Sequence, residues 1–334
     1  MILDPNIKKV LITGVAGFIG FHLAEKFLKM FPNLQVLGID NLNDYYSVKL
    51  KEDRLEILKK YQNLFFLEGD ISDYSFLQEI SKNHQDIDVI FHLAAQAGVR
   101  TSIDQPFKYT QSNLIGQVCI LEFSKSLTSL RKIIYASSSS VYGTSQKTPF
   151  KESLPVGKPL SLYSATKQAD ELICESYSRL FDIPMIGLRF FTAYGPWGRP
   201  DMAIFKISEA ISKNLTVELV ANGKVTRDFT HISDIIDGIM KCIKYTPKKD
   251  EQGFQNEIFN LGTGNITDIN EITEIIANNL NKKPKVNYIK ANPTDMGSTL
   301  ADITKAKDLL GYNPQITIEQ GIEDFANWYK SYYR

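Results

Sequence analysis

Tyr163 and Lys167 are the pair in this chain whose types and spacing suit proton chemistry. They are four residues apart in a stretch with helical periodicity over 160–181, so they stand on one helix face, one turn apart. A lysine ammonium beside a phenol favours the phenolate, and such a tyrosine can take or return a proton near neutral pH. Taken alone, Tyr-x-x-x-Lys is a weak signal in a chain with 16 tyrosines. Two other stretches join it. Ser137-Ser138-Ser139-Ser140 closes an apolar run at 132–137, and Gly14-x-x-Gly17-x-x-Gly20 follows the apolar run at 10–13.

These groups need elements to carry them. Val10-Leu11-Ile12-Thr13 reads as a buried parallel strand, and a helical pattern runs from the glycines to about residue 31. Strand, glycine turn and helix in that order form a phosphate cradle, with the anion at the helix N-terminus. The spacing is not the Gly-x-Gly-x-x-Gly of the dehydrogenase fingerprint. A second strand, 35–40, ends in Asp40, which can accept hydrogen bonds from an adenosine ribose and repels a 2′-phosphate. Asn41-Leu42-Asn43 follows with no arginine, which argues for NAD over NADP. A third strand, 64–68, leads to Gly69-Asp70-Ile71, where Asp70 can meet the adenine. The fourth, 89–93, ends in small residues, Ala94-Ala95, that let a cofactor lie close to the backbone. A long helix is expected over 107–127 with Asn113 inside it, a fifth strand over 132–137 and a sixth over 185–189. Strands alternating with helices predict an α/β fold with a doubly wound, Rossmann-like parallel sheet and ligands outside the carboxyl ends of its strands.

The expected organisation is a nucleotide-binding domain over 1–191, to which 228–262 returns, and a smaller, partly helical substrate domain over most of 192–334. Amphipathic helices are expected at 268–280 and 318–333. Lys plus Arg and Asp plus Glu both count 38, so nothing points to nucleic acid or an anionic membrane. The three cysteines are far apart and lack metal-ligand spacing, so no metal is expected and a reducing, cytoplasmic setting is. No stretch approaches the ~20 apolar residues that span a bilayer.

The glycine turn, the serine-rich strand end and Tyr163-x-x-x-Lys167 together resemble the extended short-chain dehydrogenase/reductase family, the nucleotide-sugar epimerases and dehydratases. The resemblance covers nearly the whole chain. Three runs within it look like UDP-glucuronate 4-epimerases: Asp40-Asn41-Leu42-Asn43-Asp44-Tyr45-Tyr46, His92-Leu93-Ala94-Ala95-Gln96-Ala97-Gly98-Val99-Arg100, and Thr192-Ala193-Tyr194-Gly195-Pro196-Trp197-Gly198-Arg199-Pro200-Asp201-Met202. The resemblance implies Ser138, Tyr163 and Lys167 as catalytic residues. It implies NAD contacts from Gly14, Gly17, Phe18, Ile19, Gly20, Asp40, Asn41, Asp70, Ile71, Leu93, Ala94, Ala95 and Asn113, with Tyr163 and Lys167 at the nicotinamide end. A UDP-sugar would meet Arg100, Ser139, Ser140, Thr192, Arg199 and Met202. Val217 and Leu219 would meet the uridine through their backbone, Arg227 the diphosphate and Asp295 the ribose. Asn292 stands where UDP-galactose epimerases carry an arginine. A homodimer pairing the helices near 107–127 and 160–181 is implied as well.

The chemistry so implied is reversible oxidation at C4 of the sugar, with Tyr163 as base, Ser138 on the same oxygen and Lys167 at the nicotinamide ribose. The 4,6-dehydratases place Asp and Glu directly after the catalytic Ser/Thr, and UDP-glucuronate decarboxylases carry a glutamate in that stretch. Here Ser139 and Ser140 occupy those positions, which favours epimerisation. The neighbouring alternatives are a 4-epimerase of UDP-glucose or of a UDP-N-acetylhexosamine or its uronate, and then the decarboxylase. A catalytically silent NAD sensor is the alternative of another class, against which Ser138, Tyr163 and Lys167 all stand intact.

Overall fold

Short apolar runs, each followed by a helix, assemble into one seven-stranded parallel sheet. The computed structural model describes residues 4–145, 148–220, 223, 225–290 and 297–333. The chain begins β1 (Lys9–Thr13), α1 (Phe18–Met30), β2 (Gln35–Asp40), α2 (Val48–Leu58), β3 (Leu64–Glu68), α3 (Tyr74–Asn83) and β4 (Val89–His92). Short helices α4 (Thr101–Asp104) and α5 (Pro106–Tyr109), a π-helical segment (Thr110–Ile115) and α6 (Gly116–Ser124) follow. Next come β5 (Lys132–Ser138), α7 (Leu162–Leu180) and β6 (Met185–Phe190).

The strand order is β3-β2-β1-β4-β5-β6, extended by a later strand, so the order reverses between β1 and β4. At such a switch point the flanking loops diverge and leave a crevice at the carboxyl edge. β1, β4 and β6 are buried along their whole length, whereas the edge strand β3 is half exposed. That is why the central strands read as unbroken apolar runs. Period two divides them between two cores: Val10 and Ile12 join Phe21, Phe27 and Ile235 on one face, while Leu11 joins Leu77, Ile120 and Cys174 on the other.

Beyond β6 the chain makes β7 (Thr192–Tyr194), α8 (Ala203–Ser212), β8 (Thr216–Val220), β9 (Thr226–Arg227), β10 (Phe229–His231) and α9 (Ile232–Cys242). It continues with β11 (Asn256–Leu261), β12 (Thr267–Asp268), α10 (Ile269–Leu280), β13 (Lys285–Ile289), α11 (Thr304–Leu310) and α12 (Ile318–Tyr332). β11 is the seventh strand of the main sheet, parallel to β6, and α9 packs its isoleucines into the core around α1. A separate core forms from α8, β8, α10 and α12 around Phe205, Ile272 and Phe325.

The helix expected over 107–127 is not continuous. It is interrupted by the π-helical turn, which holds Asn113 at 2% exposure. Such a turn is sustained where a side chain has strong partners outside the helix. Asn113 has them: Gln96 N–H donates to its Oδ1 at 2.7 Å, and its Nδ2 donates to the Gln96 carbonyl and to Thr166 Oγ1.

Candidate active site

The carboxyl ends of β1, β2, β4, β5 and β6 open into one cavity of about 420 Å³. Gly14, Gly17, Phe18, Ile19 and Gly20 line it on one side. Gly14 has φ +72° and a Cβ on it would lie 2.8 Å from the Ala94 nitrogen, and a Cβ on Gly20 would lie 2.1 Å from the Gly14 carbonyl oxygen, so the turn closes only with hydrogen side chains. Helix α1 starts there with no side chain capping it and no acid in its first turn. Its first N–H groups are therefore ready for an anion, which fits the diphosphate of a dinucleotide.

Asp40, Asn41, Asp70 and Ile71 line the same cavity. Asp40 accepts from Ala16 N–H at 3.0 Å and Leu42 N–H at 2.9 Å, and burial pushes its carboxyl above the usual range. Asp70 is fixed by Ser72 and by Asn41 Nδ2 at 2.9 Å. Burial opposes its charge, yet these bonds hold it below the usual carboxylate range. Lys51 on α2 also lines the cavity and was not foreseen, because α2 shows little in the sequence to mark it. Its Nζ donates to the Asn43 carbonyl and Oδ1, so this amine is already engaged beside Asp40. Leu93, Ala94 and Ala95 complete this side of the cavity.

At the other end β5 and α7 bring the chemistry together. Ser161 caps α7 by accepting from Ser164 N–H, which sets Tyr163 in the first turn and Lys167 one turn on. Both line the cavity. Lys167 Nζ donates to the Ala136 carbonyl on β5 and to Asp170 Oδ2, each at 3.0 Å. Burial opposes its charge, but Asp170 and Tyr163 outweigh that and hold it protonated above its ordinary range. Asp170 carried no signal in the sequence beyond its helical spacing from Lys167. Tyr109 packs edge-on against the Tyr163 ring at 6.2 Å and donates to the Ala97 and Gly98 carbonyls. Burial raises its pKa, which disqualifies it as a competing base.

The four serines divide by environment. Ser137 donates to Glu171 Oε1 at 2.5 Å, and Glu171 is in turn gripped by Arg189. Ser138 accepts from Ser140 N–H and caps a short 3₁₀ turn, Ser139–Tyr142. Ser140 is 5% exposed and its hydroxyl has no hydrogen-bond partner among the described residues, although it lines the cavity. An unsatisfied buried hydroxyl is costly and marks a place where a polar ligand group belongs. Ser138, Ser139, Thr192, Arg199, Met202 and Arg227 line the cavity too.

Arg199, expected to meet the sugar, is already paired within the chain. It makes a bidentate pair with Asp201, Nε to Oδ1 at 3.0 Å and Nη2 to Oδ2 at 2.9 Å, and Tyr45 donates to the same carboxylate. Arg227 reaches the cavity while its Nη1 donates to the Thr226 and Gly297 carbonyls. Asp228 turns inward, taking bonds from Thr263, Gly264 and Ala301 N–H groups. Four expected residues do not line the cavity. Asn113 is not among the lining residues and is held by Gln96 and Thr166, as described above. Arg100 is exposed at the start of α4. Val217 and Leu219 turn their side chains into the C-terminal core. Asp295, like Asn292, lies outside the described residues. Among the described residues no cluster of His, Cys, Asp or Glu could hold a metal ion. None of their helices is long and apolar enough to cross a membrane.

A model of the GDP-mannose 4,6-dehydratase family matches residues 11–325, and the chain belongs to that family. It is 42% identical to the UDP-glucuronate 4-epimerase of Thermodesulfobacterium geofontis over 96% of this chain and 95% of that one. It is 41% identical to protein CapI of Staphylococcus aureus over 98% of this chain and 99% of that one. A solved UDP-glucuronic acid 4-epimerase from Bacillus cereus, in complex with UDP-glucuronic acid and NAD, is similar with a TM-score of 0.88 at 34% identity, covering 97% of this chain and 99% of its own.

Proposed function

We propose that this member of the GDP-mannose 4,6-dehydratase family is an NAD-dependent 4-epimerase that interconverts UDP-glucuronate and UDP-galacturonate. The cavity suits a dinucleotide on the glycine-turn side, with Tyr163, Lys167 and Ser138 opposite. NAD+, when bound, supplies reversible hydride transfer at C4. Tyr163 takes the proton of the 4-hydroxyl and later returns it, and Ser138 hydrogen-bonds the same oxygen. Lys167, held by Asp170 and the Ala136 carbonyl, keeps a positive charge beside the Tyr163 hydroxyl. The 4-keto sugar turns over in the cavity and is reduced on its other face, so no second redox substrate is consumed.

The observation that carries the uronate assignment is the Ser140 hydroxyl, unpartnered among the described residues, next to Ser139, where a dehydratase needs an acid and a base. Oxidising C4 of a glucuronate makes a β-keto acid, which loses CO2 once its carboxylate bond aligns with the carbonyl π system. Holding that carboxylate in another orientation, with groups that do not titrate, is what Ser139, Ser140 and Thr192 can do. The remaining expected cofactor and sugar contacts are part of the same reading, as are the division into a nucleotide domain and a substrate domain and the cytoplasmic setting. Leu172 and Leu180 on α7, 67% and 61% exposed, and Ile115, 45% exposed, support a homodimer through these helices. NMR of the protein incubated with UDP-glucuronate tests the activity. A new C4 epimer is expected; a UDP-pentose as the main product, or no change, would overturn it.

A further inference from the structure

Behind the cavity, one of the largest fully buried side chains is Arg54 on α2. Among the described residues no carboxylate pairs with it, and its guanidinium is spread over neutral oxygens. Nη1 donates to the Ala16 carbonyl and the Tyr46 hydroxyl, both at 2.7 Å, and Nη2 donates to the Trp197 carbonyl at 2.5 Å. A buried cation held by neutral oxygens rather than in a direct pair with a carboxylate is expensive, so the planar fork serves a geometric purpose here. His22 on α1 repeats the pattern: its Nε2 donates to the Pro196 carbonyl at 2.9 Å. Two donors, one on each helix beside the glycine turn, thus take consecutive carbonyls of the loop that follows β7.

That loop needs an outside hold. Gly195 has φ +138° and Trp197, a non-glycine residue, has φ +60°, a left-handed conformation that persists only when the surroundings impose it. The Trp197 indole is wedged against Phe21 at 5.6 Å and Tyr332 at 5.1 Å. Arg199, two residues on, lines the cavity. On its other side the Arg54 guanidinium holds the carbonyl of Ala16, whose N–H donates to Asp40 at 3.0 Å. The glycine turn and the sugar-side loop are therefore joined by two hydrogen bonds through one side chain, Arg54.

We propose that Arg54 and His22 are positioning residues that hold the sugar-side loop against the glycine turn and so set Arg199 and Met202 for the sugar. The proposal rests on the epimerase reading only for the choice of substrate. Burial lowers the His22 pKa to about 3, so its ring stays neutral and donates at any working pH.

The test compares Arg54→Lys, which keeps the charge but cannot span both carbonyls, with His22→Phe, which keeps a ring but loses the donor. In each folded variant the KM for UDP-glucuronate should rise about tenfold, with kcat and the NAD Kd within about threefold of the unmutated protein. A merely structural role would lower Tm and leave KM unmoved, and that result overturns the proposal. A rise in NAD Kd parallel to KM overturns it as well, since it marks collapse of the cradle. Should Arg54→Lys not fold, His22→Phe decides. If the unmutated protein does not turn over UDP-glucuronate, the activity reading fails instead, and the same KM series is run with UDP-glucose.

Discussion

Arg199 and Asp201 close a two-bond ion pair beside the sugar end of the cavity, at 3.0 and 2.9 Å. Asp201 occupies the Nε–Nη2 edge of the guanidinium, and Tyr45 bonds Asp201 from across the site at 3.1 Å. Nη1 is the terminal nitrogen left without a partner among the described residues. A uronate must therefore share Arg199 with Asp201 or displace it. Arg199→Ala is expected to lower kcat/KM for UDP-glucuronate about tenfold or more, with a smaller loss on UDP-glucose or a larger fraction of decarboxylated product. An equal loss on both sugars, with no pentose formed, would show that Arg199 does not read the carboxylate.

Ser140→Ala separates binding from stability. The hydroxyl makes no hydrogen bond among the described residues and is costly to bury, so its removal should leave Tm unchanged or raise it by a few degrees. A hydrogen bond to a carboxylate is worth about 1.5–3 kcal/mol, so KM for UDP-glucuronate should rise roughly tenfold or more. A variant with an unchanged KM removes Ser140 from the site.

Tyr163→Phe deletes the proton acceptor and one hydroxyl. It should cost about 10²-fold or more in kcat, with folding and NAD binding retained. Near-normal turnover by the purified variant would sink the mechanism. Tyr109 offers no rescue, because its hydroxyl is committed to two carbonyls.

The cofactor preference follows from Asp40, whose carboxylate is held in the cavity by Ala16 and Leu42 N–H groups. Calorimetry should give tighter binding of NAD+ than NADP+. Asp40→Asn should narrow the gap, because Lys51 then faces a 2′-phosphate without the opposing charge. Tighter NADP+ binding by the unmutated protein contradicts the role given to Asp40.

Acid stability is set partly by two histidines, the half-buried His22 and the buried His92. Burial lowers the pKa of His22 and His92 from 6.5 to about 3. Between those values the unfolded chain binds protons that the folded chain does not, so stability is complete above about 6.5 and falls as the pH drops. Each histidine contributes a slope approaching 1.4 kcal/mol per pH unit, in order of magnitude. Tm should decline between pH 6.5 and 4.5, and His92→Gln, although less stable at neutral pH through loss of its bond to Thr13, should decline less steeply. An undiminished slope in that variant shows that His92 is protonated in the fold.

Much of this protein is legible in one dimension because its information is local. The apolar runs ending at Thr13, Asp40 and Phe190 are strands because burial on both faces demands unbroken hydrophobic sequence. The turn at Gly14, Gly17 and Gly20 and the spacing of Tyr163 from Lys167 follow from backbone sterics and helix pitch. What remained hidden depends on partners distant in the chain. Asn113 is a brace because Gln96 and Thr166 surround it. Four adjacent serines look alike until Glu171 takes Ser137 and, among the described residues, nothing takes Ser140. The sequence does not show that the loop curls Arg199 back onto Asp201, nor that Ala16 and Trp197 close over Arg54. Periodicity reports which face a side chain takes; only the folded chain decides which oxygen or carboxylate waits there, because hydrogen-bond energy depends on distances that sequence separation does not encode.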